Sequence, residues 1–285
     1  MTTHARRAAV THLRATYPVS DRRACALVQL ARSRWAYRAH RPDDTLLATA
    51  LAAKAAERPR WGYRRLATLL RREGWVVNLK RVLRVYRALG LRLRKRAGRK
   101  QVSTVRVPRP VAVGPNAQWT LDFISDAFAS GRKFRVLSVV DECTRECLAL
   151  RADVSQPSWK VVAVLDELAS SRDLPQRLII DNGPEFVAKA LDAWAYAHGV
   201  ELFFTRRGKP VDNCYVESFH DKFRDECLST HWFLSLTDAR RVIEAWQEDY
   251  NTVRPHSALG RRTPAEYRMM LEENHELESA LPIPA

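Results

Sequence analysis

Three acidic residues occupy positions where a charge needs an explanation. Asp122 lies among apolar residues in a segment with strand character, Asp181 directly follows the apolar run 178–180, and Glu217 lies on the flank of an amphipathic helix pattern. An ionised carboxylate among apolar neighbours is costly unless a partner or a metal satisfies it. Taken alone, Asp181-Asn-Gly indicates only a turn. As a set, such carboxylates can hold two Mg²⁺ ions about 4 Å apart, which activate an attacking oxygen and stabilise a leaving oxygen in phosphoryl transfer.

The helix that carries Glu217 is predicted within residues 209–228, with its entry at Gly208 and Pro210. Apolar residues recur at helical spacing and form one stripe, made of Val216, Phe219, Phe223 and Cys227. Polar residues with the same spacing form the flank beside that stripe: Asn213, Glu217, His220 and Arg224. A buried helix normally carries apolar residues on such a flank. We therefore expect this flank to serve a site at the edge of the core.

The charge of the chain is divided between its two ends. The net charge is +16 over 285 residues, but residues 1–112 hold 28 Lys and Arg against 5 Asp and Glu, whereas residues 113–285 hold 20 against 27. A segment this rich in arginine favours a polyanionic partner, because each neutralised phosphate releases counterions. A solvated charged surface is the alternative. We expect a basic arm that binds nucleic acid and an acidic body with another task.

Composition excludes several classes of protein. No apolar run approaches the roughly 18 residues that would cross a bilayer, and the first residues lack the apolar segment of a signal peptide. The sequence therefore predicts a cytoplasmic, nucleoid-associated protein with no membrane partner. Five cysteines without a Cys-x-x-Cys pair indicate reduced thiols, not a disulfide framework or a zinc site.

The basic half is predicted to be helical, with a DNA-binding pair of helices. Residues 1–42 form a basic helical segment, in which a helix capped by Ser20 runs to Leu30 and continues through residues 32–38. Residues 43–100 contain a further helix over 43–57 and then two short helices, 61–72 and 78–89, joined by a turn at Gly74. That pair matches a helix-turn-helix unit, although a plain helical bundle with a basic face is the alternative. The second of these helices carries four basic residues: Lys80, Arg81, Arg84 and Arg87.

The rest of the chain is predicted to be an α/β domain. Residues 101–112 form a basic, proline-containing linker, residues 113–272 the core and residues 273–285 a tail. Strands are predicted over 118–128, 133–141, 146–153, 177–180 and 200–204, and helices over 157–172, 185–198 and 237–250, besides the Glu217 helix. This order predicts a mixed five-stranded sheet with flanking helices.

Several motifs resemble the DDE transposases of bacterial insertion sequences. The motifs around the three acids are Trp119-x-x-Asp122-Phe123, Asp181-Asn-Gly-Pro-Glu-Phe186 and Gly208-Lys-Pro-x-x-Asn213-x-x-x-Glu217-Ser-Phe219, and 35 residues lie between Asp181 and Glu217. Further matches are Asp141-x-x-Thr144-Arg145-Glu146, Arg224-Asp-Glu-Cys-Leu228, Tyr250-Asn-x-x-Arg254-Pro-His256, Trp61-Gly-Tyr-Arg-Arg65 and Val77-Asn-x-Lys-Arg-Val82. The resemblance covers roughly residues 20–270. It is narrowest to the second-frame product of the IS-three family, which is related to retroviral integrases.

The resemblance implies an RNase H-like core with Asp122, Asp181 and Glu217 as catalytic, metal-binding residues. It implies two Mg²⁺ ions, with Mn²⁺ as a possible substitute, hydrolytic nicking at the element's ends, and attack by the freed 3′-hydroxyl on a phosphodiester without a covalent protein intermediate. Expected partners are DNA of the terminal inverted repeats and of the target, further copies of the chain, and a first-frame product or a fusion with it. The expected DNA contacts, beyond the four basic residues of the second helix, are Arg64, Arg65, Lys209, Asn213 and Arg224.

Four residues near the motifs need separate treatment. His220 stands where many relatives carry Asn, and either an altered fit in the site or a surface imidazole is expected for it. Asp126 and Asp141 are alternatives for the first acid, but the Trp119-x-x-Asp motif selects Asp122, and Asp141 is expected to close a turn. His256 is expected to brace the last helix together with the arginine two residues before it.

Two other functions share part of this pattern. A DNA-binding regulator or a decayed element would need no catalysis, but all three acids stand at the family's spacing. A nuclease of the RNase H type would leave the basic helix-turn-helix arm unexplained. An Mg²⁺-dependent transposase accounts for both halves of the chain.

Overall fold

The computed structural model describes residues 1–37, 43–93, 112–205 and 214–279, which fall into two compact units, residues 1–49 and 50–285. The helices are α1 (Thr3–Thr16), α2 (Asp21–Leu27), α3 (Arg32–Ala36), α4 (Thr45–Glu57), α5 (Tyr63–Arg72), α6 (Leu79–Ala88), α7 (Ser158–Ala169), α8 (Lys189–His198), α9 (Cys214–Glu226), α10 (Leu236–Thr252) and α11 (Pro264–Ser279). The strands are β1 (Gln118–Ala127), β2 (Lys133–Asp141), β3 (Cys147–Asp153), β4 (Arg177–Ile180) and β5 (Glu201–Phe204). None of the helices in these ranges is long and apolar enough to span a membrane.

The first unit holds α1 to α3 and the start of α4 around a small core made of Val10, Ala24, Cys25 and Leu30. The side chain of Ser20 caps α2, as predicted, by accepting a hydrogen bond from the Arg23 amide. The predicted continuation of this helix through residues 32–38 is wrong, because α2 ends at Leu27 and α3 begins at Arg32. Gln29 adopts a positive φ of 53°, which turns Leu30 back into the core and breaks the helix.

Helices α5 and α6 form the predicted pair in the second unit. Asn78 caps α6 by accepting a hydrogen bond from the Lys80 amide at 2.8 Å. Buried apolar residues from both helices face each other, namely Leu66, Ala67, Leu70, Val82, Val85 and Tyr86. Gly74 in the connection has a φ of +88°, a conformation that glycine adopts without steric cost.

The five strands form one mixed sheet in the order β3-β2-β1-β4-β5. The first three strands are antiparallel neighbours, and β4 and β5 run parallel to β1. Apolar side chains of β1 and β2 alternate between two cores. One core contains Trp119 and Leu121 with α7 and α8, and the other contains Ile124 and Val136 with α9 and α10. The predicted five-stranded sheet with flanking helices is confirmed.

The helices of the core differ from the predictions in two main places. Helix α8 begins at Lys189, not at 185, because the amides of Phe186 and Val187 both bond to the carbonyl of Gly183 and form a turn that buries Phe186. Helix α11 was not predicted, and it continues past residue 272, where the predicted core ends. Nearly all of the predicted linker, and the predicted entry of α9 at 208–210, lie outside the described residues. The domain boundaries stay predictions.

Candidate active site

The first acid, Asp122, lies on the face of β1 that is covered by α9. Strand pairing sets Ser138 of β2 opposite Asp122, and the Ser138 hydroxyl lies 3.0 Å from the backbone carbonyl of Asp122. One Asp122 carboxylate oxygen accepts a hydrogen bond from the Phe123 amide at 2.7 Å. The Asp122 side chain is 19% exposed. The carboxylate is therefore held at the edge of the core with access to solvent.

His220 of α9 contacts both of these strand residues. Its Nε2 lies 2.7 Å from Ser138 Oγ, and its Nδ1 lies 3.7 Å from Asp122 Oδ2. Burial, and then the charge of Arg224, lower the pKa of His220 to about 4. The imidazole is therefore neutral at pH 7, and its approach to Asp122 is not an ion pair. Of the two readings offered for His220, the structure supports a residue of the site and not a surface imidazole.

The second acid, Asp181, lies at the carboxyl end of β4, as predicted. Its Oδ1 accepts a hydrogen bond from the Gly183 amide at 2.8 Å. A Cβ on Gly183 would lie 2.9 Å from that oxygen, so a larger residue there would displace the Asp181 carboxylate. The next residue, Asn182, donates its side-chain amide to the carbonyl of Thr205 at 2.7 Å and so joins the ends of β4 and β5. The turn holds Asp181 in a defined position.

The third acid, Glu217, lies in the first turn of α9 and is exposed. The predicted apolar stripe of this helix is buried in the core that α9 shares with α10: Val216, Phe219, Phe223 and Cys227. The prediction that the polar flank beside this stripe serves the site is supported for Glu217 and His220. Burial, and then the nearby charge of Asp221, raise the pKa of Glu217 above its ordinary value.

The ionisation of Asp122 is affected by the other two acids. Burial raises the pKa of Asp122 to about 6; the Phe123 amide and Arg135 lower it, and the charges of Asp181 and Glu217 raise it. A carboxyl group with a raised pKa between two other acids is typical of a functional site. In the ranges that the structure describes, no group of three or more His, Cys, Asp or Glu side chains is arranged to hold a metal ion.

The predicted DNA contacts fall into three groups. Arg64, Lys80, Arg84, Arg87 and Arg224 are exposed, and Arg81 is half-buried. Lys209 and Asn213 lie outside the described residues. Arg65 is placed elsewhere, since its guanidinium donates to the buried carboxylate of Glu226 at 2.8 Å. The prediction of Arg65 as a DNA contact is therefore not supported by its position.

The residues weighed against Asp122 have structural roles. Asp141 accepts backbone hydrogen bonds from Asn116, Cys143 and Thr144, which confirms that it closes a turn. Asp126 accepts a hydrogen bond from the amide of the residue that follows it, at 2.8 Å.

The segment that contains His256 braces the predicted helix, α10, and also the end of α9. The arginine two residues before it, Arg254, binds Glu226 at the end of α9 through two hydrogen bonds of 2.7 Å. His256 lies beside this arginine and packs edge-on against the Tyr250 ring of α10. Arg254 lies over the same ring, so the prediction that this pair braces the last predicted helix, 237–250, agrees with the structure.

Two residues of the site were missed by sequence reasoning. Ser138 carries no motif, and only the register of β1 against β2 shows that it faces Asp122. Glu226 lies in the matching segment Arg224–Leu228, but its burial and its partners from distant positions have no local signal.

Family models and known proteins match this chain along most of its length. Two models described as "Integrase core domain" match residues 112–210 and 198–264, and one described as "HTH-like domain" matches residues 41–100. The chain is 46% identical over 251 residues to an uncharacterized 31.7 kDa protein of insertion element IS407 from Burkholderia multivorans, covering 87% of this chain and 90% of that protein. It is 30% identical over 245 residues to the transposase InsD of insertion element IS2D from Escherichia coli, covering 81% and 80%.

A solved structure shares the fold at low sequence identity. A chain in the simian T-cell lymphotropic virus intasome, determined in complex with the PP2A regulatory subunit B56 gamma, aligns with a TM-score of 0.52 and 13% identity over 82% of this chain and 77% of that chain. Since the family matches cover both halves and the curated relatives are aligned over most of their length, the chain belongs to the insertion-element transposases that carry an integrase core domain.

Proposed function

We propose that the chain nicks DNA at the ends of its element and joins them to target DNA, with Asp122, Asp181 and Glu217 as the catalytic acids. The observation that supports this most strongly is the ionisation of Asp122, whose pKa is raised to about 6 by burial, with further contributions from the other two acids. In the proposed site, negative charges from β1, the end of β4 and α9 would meet. Such a gathering is unfavourable unless a cation is to be bound there.

The donor set fits Mg²⁺, which prefers carboxylate oxygens, and Mn²⁺ is a possible substitute. Two such ions would activate the attacking oxygen and stabilise the leaving oxygen of an in-line displacement. Asp122 and Asp181 are held by hydrogen bonds to backbone amides. Glu217 is exposed, and its longer side chain can turn toward them. Ser138 and His220 orient the Asp122 segment from the neighbouring strand and helix.

DNA is expected to bind across both halves of the chain. The exposed basic residues of α6 are suited to element-end DNA, and Arg224 lies on α9 two turns after Glu217, within reach of the phosphate backbone beside the acids. We further propose that several copies assemble on two DNA ends, and that a first-frame product or a fusion with it assists synapsis. Lys209 and Asn213 stay candidates for substrate contact.

A strand-transfer assay tests the catalytic acids. Labelled DNA bearing the element's end, target DNA and Mg²⁺ are incubated with the wild-type chain and with Glu217→Gln, and products are resolved on a denaturing gel. We expect nicked and joined products from the wild type and a loss of both in the variant with DNA binding retained. Asp126→Asn is the matched control, because it also removes a carboxylate from β1. Asp126 accepts a hydrogen bond from the backbone amide of Ala127, which an asparagine can also accept. Equal products from wild type and Glu217→Gln would refute this assignment of the acids.

A further inference from the structure

Glu226, at the last residue of α9, is a buried carboxylate whose partners come from two parts of the chain. Its side chain is 6% exposed. Arg254 donates to both carboxylate oxygens at 2.7 Å. From the helix-turn-helix region, Arg65 donates to Oε1 at 2.8 Å and the Trp61 indole donates to Oε2 at 3.2 Å. Glu226 therefore joins the last turn of the helix that carries Glu217 to the start of the helix-turn-helix pair.

The buried carboxylate is fully compensated. Burial alone would raise its pKa, but the hydrogen bonds and charge of Arg254 and the charge of Arg65 outweigh that effect and hold the pKa of Glu226 below its ordinary value. Arg254 is 3% exposed and also lies over the Tyr250 ring. Charged hydrogen bonds in such a dry setting fix geometry closely, since neither partner has water as a substitute. The contact is therefore specific, unlike a surface ion pair.

Other ion pairs surround this contact with the same division of charge. In each, the cation belongs to the helix-turn-helix region and the anion to the core: Arg58 with Asp249, Arg60 with Asp225, and Arg72 with Glu266. Arg72 also donates to the backbone carbonyls of Val253 and Arg261. The Trp61 side chain is itself buried, at 4% exposure. The helix-turn-helix region thus docks on the core over a surface with complementary charge.

The docking sets a fixed separation between two functional helices. Helix α6 packs on α5 through their shared apolar residues and the Tyr63–Tyr86 ring contact. Arg65 of α5 binds Glu226, and Glu226 follows Glu217 by nine residues on one continuous helix, about 13.5 Å along its axis. A DNA end held by α6 is therefore held at a defined place relative to the acids.

We propose that the Arg65–Glu226–Trp61 contact determines the position of the nick relative to the sequence that α6 binds. The inference rests on the proposed function and adds a positioning role for Arg65 in place of its predicted DNA contact. Loss of one charged hydrogen bond of this kind changes the ratio of docked to undocked forms roughly tenfold or more. We therefore expect Arg65→Gln to raise the fraction of misplaced nicks roughly tenfold, with affinity for the DNA end unchanged within twofold.

Neighbouring variants isolate this effect. Arg64→Gln is the matched control, because Arg64 is the preceding residue on the same helix and is exposed. It is expected to weaken DNA binding and to leave nick positions unchanged. Arg65→Lys restores one cationic donor and is expected to recover part of the precision, and Trp61→Phe keeps the buried ring but removes the indole N–H. None of these changes removes Arg254 from Glu226, so the core helix keeps its buried ion pair.

The measurement is the distribution of nick positions at nucleotide resolution on end-labelled DNA, with affinity determined separately by fluorescence anisotropy. Nicks as precise as the wild type's in both Arg65→Gln and Trp61→Phe would overturn the proposal. A loss of DNA affinity in Arg65→Gln equal to that in Arg64→Gln would also overturn it and return Arg65 to DNA contact. If the wild-type chain produced no nicks in Mg²⁺, the proposed function itself would fail, which is a different outcome from precise nicking by the variants.

Discussion

Replacing Asp122, the first of the three proposed catalytic acids, is expected to stabilise the protein when no metal is bound. The pKa of Asp122 is raised to about 6, first by burial and then by the charges of Asp181 and Glu217. At neutral pH the folded state must therefore keep an ionised group in a site that disfavours it. In Asp122→Asn the amide oxygen can still accept the hydrogen bond from Phe123, and the charge is gone. A site built for cation binding has this property, because ligand residues are not selected for stability.

The magnitude follows from the pKa difference. The ordinary value is 3.8 and the folded value about 6, so the difference of about two pH units corresponds to roughly 3 kcal/mol of unfolding free energy at pH 7. Below pH 3.8 both states hold the proton and the cost is absent. Between pH 3.8 and 6 the folded state holds more protons than the unfolded state, so stability falls as pH rises. Above pH 6 the cost is constant. Since the side chain is 19% exposed, roughly 3 kcal/mol is an upper bound.

The assay is urea unfolding at pH 5 and pH 7.5, followed by tryptophan fluorescence and by circular dichroism so that a single transition is verified. We expect Asp122→Asn to unfold at higher urea than the wild type at pH 7.5, with a smaller difference at pH 5. Mg²⁺ should then stabilise the wild type according to its saturation, by about 2.7 kcal/mol at 100 times Kd, and should leave the variant unchanged.

The control is Asp126→Asn, which removes an acid four residues along the same strand. If Asp122→Asn were less stable than the wild type at pH 7.5 while this control was unchanged, the electrostatic cost assigned to Asp122 would be wrong. A stabilising effect of equal size at both pH values would refute the pKa instead, because the cost must depend on ionisation between these values.

Five other variants probe the partners of the proposed site, the Glu226 contact and the basic surface of α6. Ser138→Ala should weaken Mg²⁺ binding, measured by calorimetry, by roughly 10- to 100-fold, as for other residues that orient metal ligands. His220→Asn keeps a hydrogen-bond donor and an acceptor, so its loss of Mg²⁺ affinity should be smaller than that of Ser138→Ala. Glu226→Gln should lower the unfolding free energy by about 3–5 kcal/mol in thermal melts, because it leaves the buried Arg254 without its charged partner. The neighbouring variant Asp225→Asn, which removes an exposed ion pair, should lower it by less than about 1 kcal/mol. Lys80→Gln should weaken binding to all DNA sequences evenly and reduce the slope of log affinity against log salt by about 1, measured by anisotropy titrations.

Local patterns predicted the elements that local sequence determines. The stripe of α9 was found because residues that share a buried face recur at 3.6-residue spacing, and β2 and β4 were predicted to the residue because both are β-branched runs bounded by turns. The predicted helix boundaries are wrong where a single side chain packs into a core formed by distant residues and so fixes where a helix ends or begins. Leu30 ends α2 by turning into a core, and Phe186 delays α8 by the same means. The spacing of apolar residues along a helix cannot reveal such a contact.

The site shows the same limit at the level of contacts. Residue type and place on a strand, a strand end and a helix flank made Asp122, Asp181 and Glu217 candidates, and the motifs shared with the transposase family selected them. Their partners were not found in this way, because Ser138 meets His220 across 82 residues of sequence. Strand register and helix packing must both be known before that pair can be seen. Arg65 is a stronger case, since its partner lies 161 residues away and its neighbours in sequence suggest only DNA.

The docking of the helix-turn-helix region on the core changes how the unequal charge of the two parts of the chain is interpreted. Residues 1–112 carry an excess of basic groups and the remainder an excess of acids, but part of each excess is neutralised inside the chain by pairs such as Arg58 with Asp249. Phosphate contacts at the surface are screened over about 8 Å at physiological salt, whereas the Glu226 contact is buried.

As the salt concentration is raised, DNA should therefore dissociate from the protein before the helix-turn-helix region separates from the core. Between about 0.1 and 0.5 M salt, we expect DNA affinity to fall by orders of magnitude, while amide exchange in residues 61–70 and 223–230 stays protected. Deprotection of those segments in step with the loss of DNA would mean that the helix-turn-helix region is held on the core by screened surface charge alone. In that case the buried Glu226 carboxylate could not be what fixes α6 relative to the proposed catalytic acids.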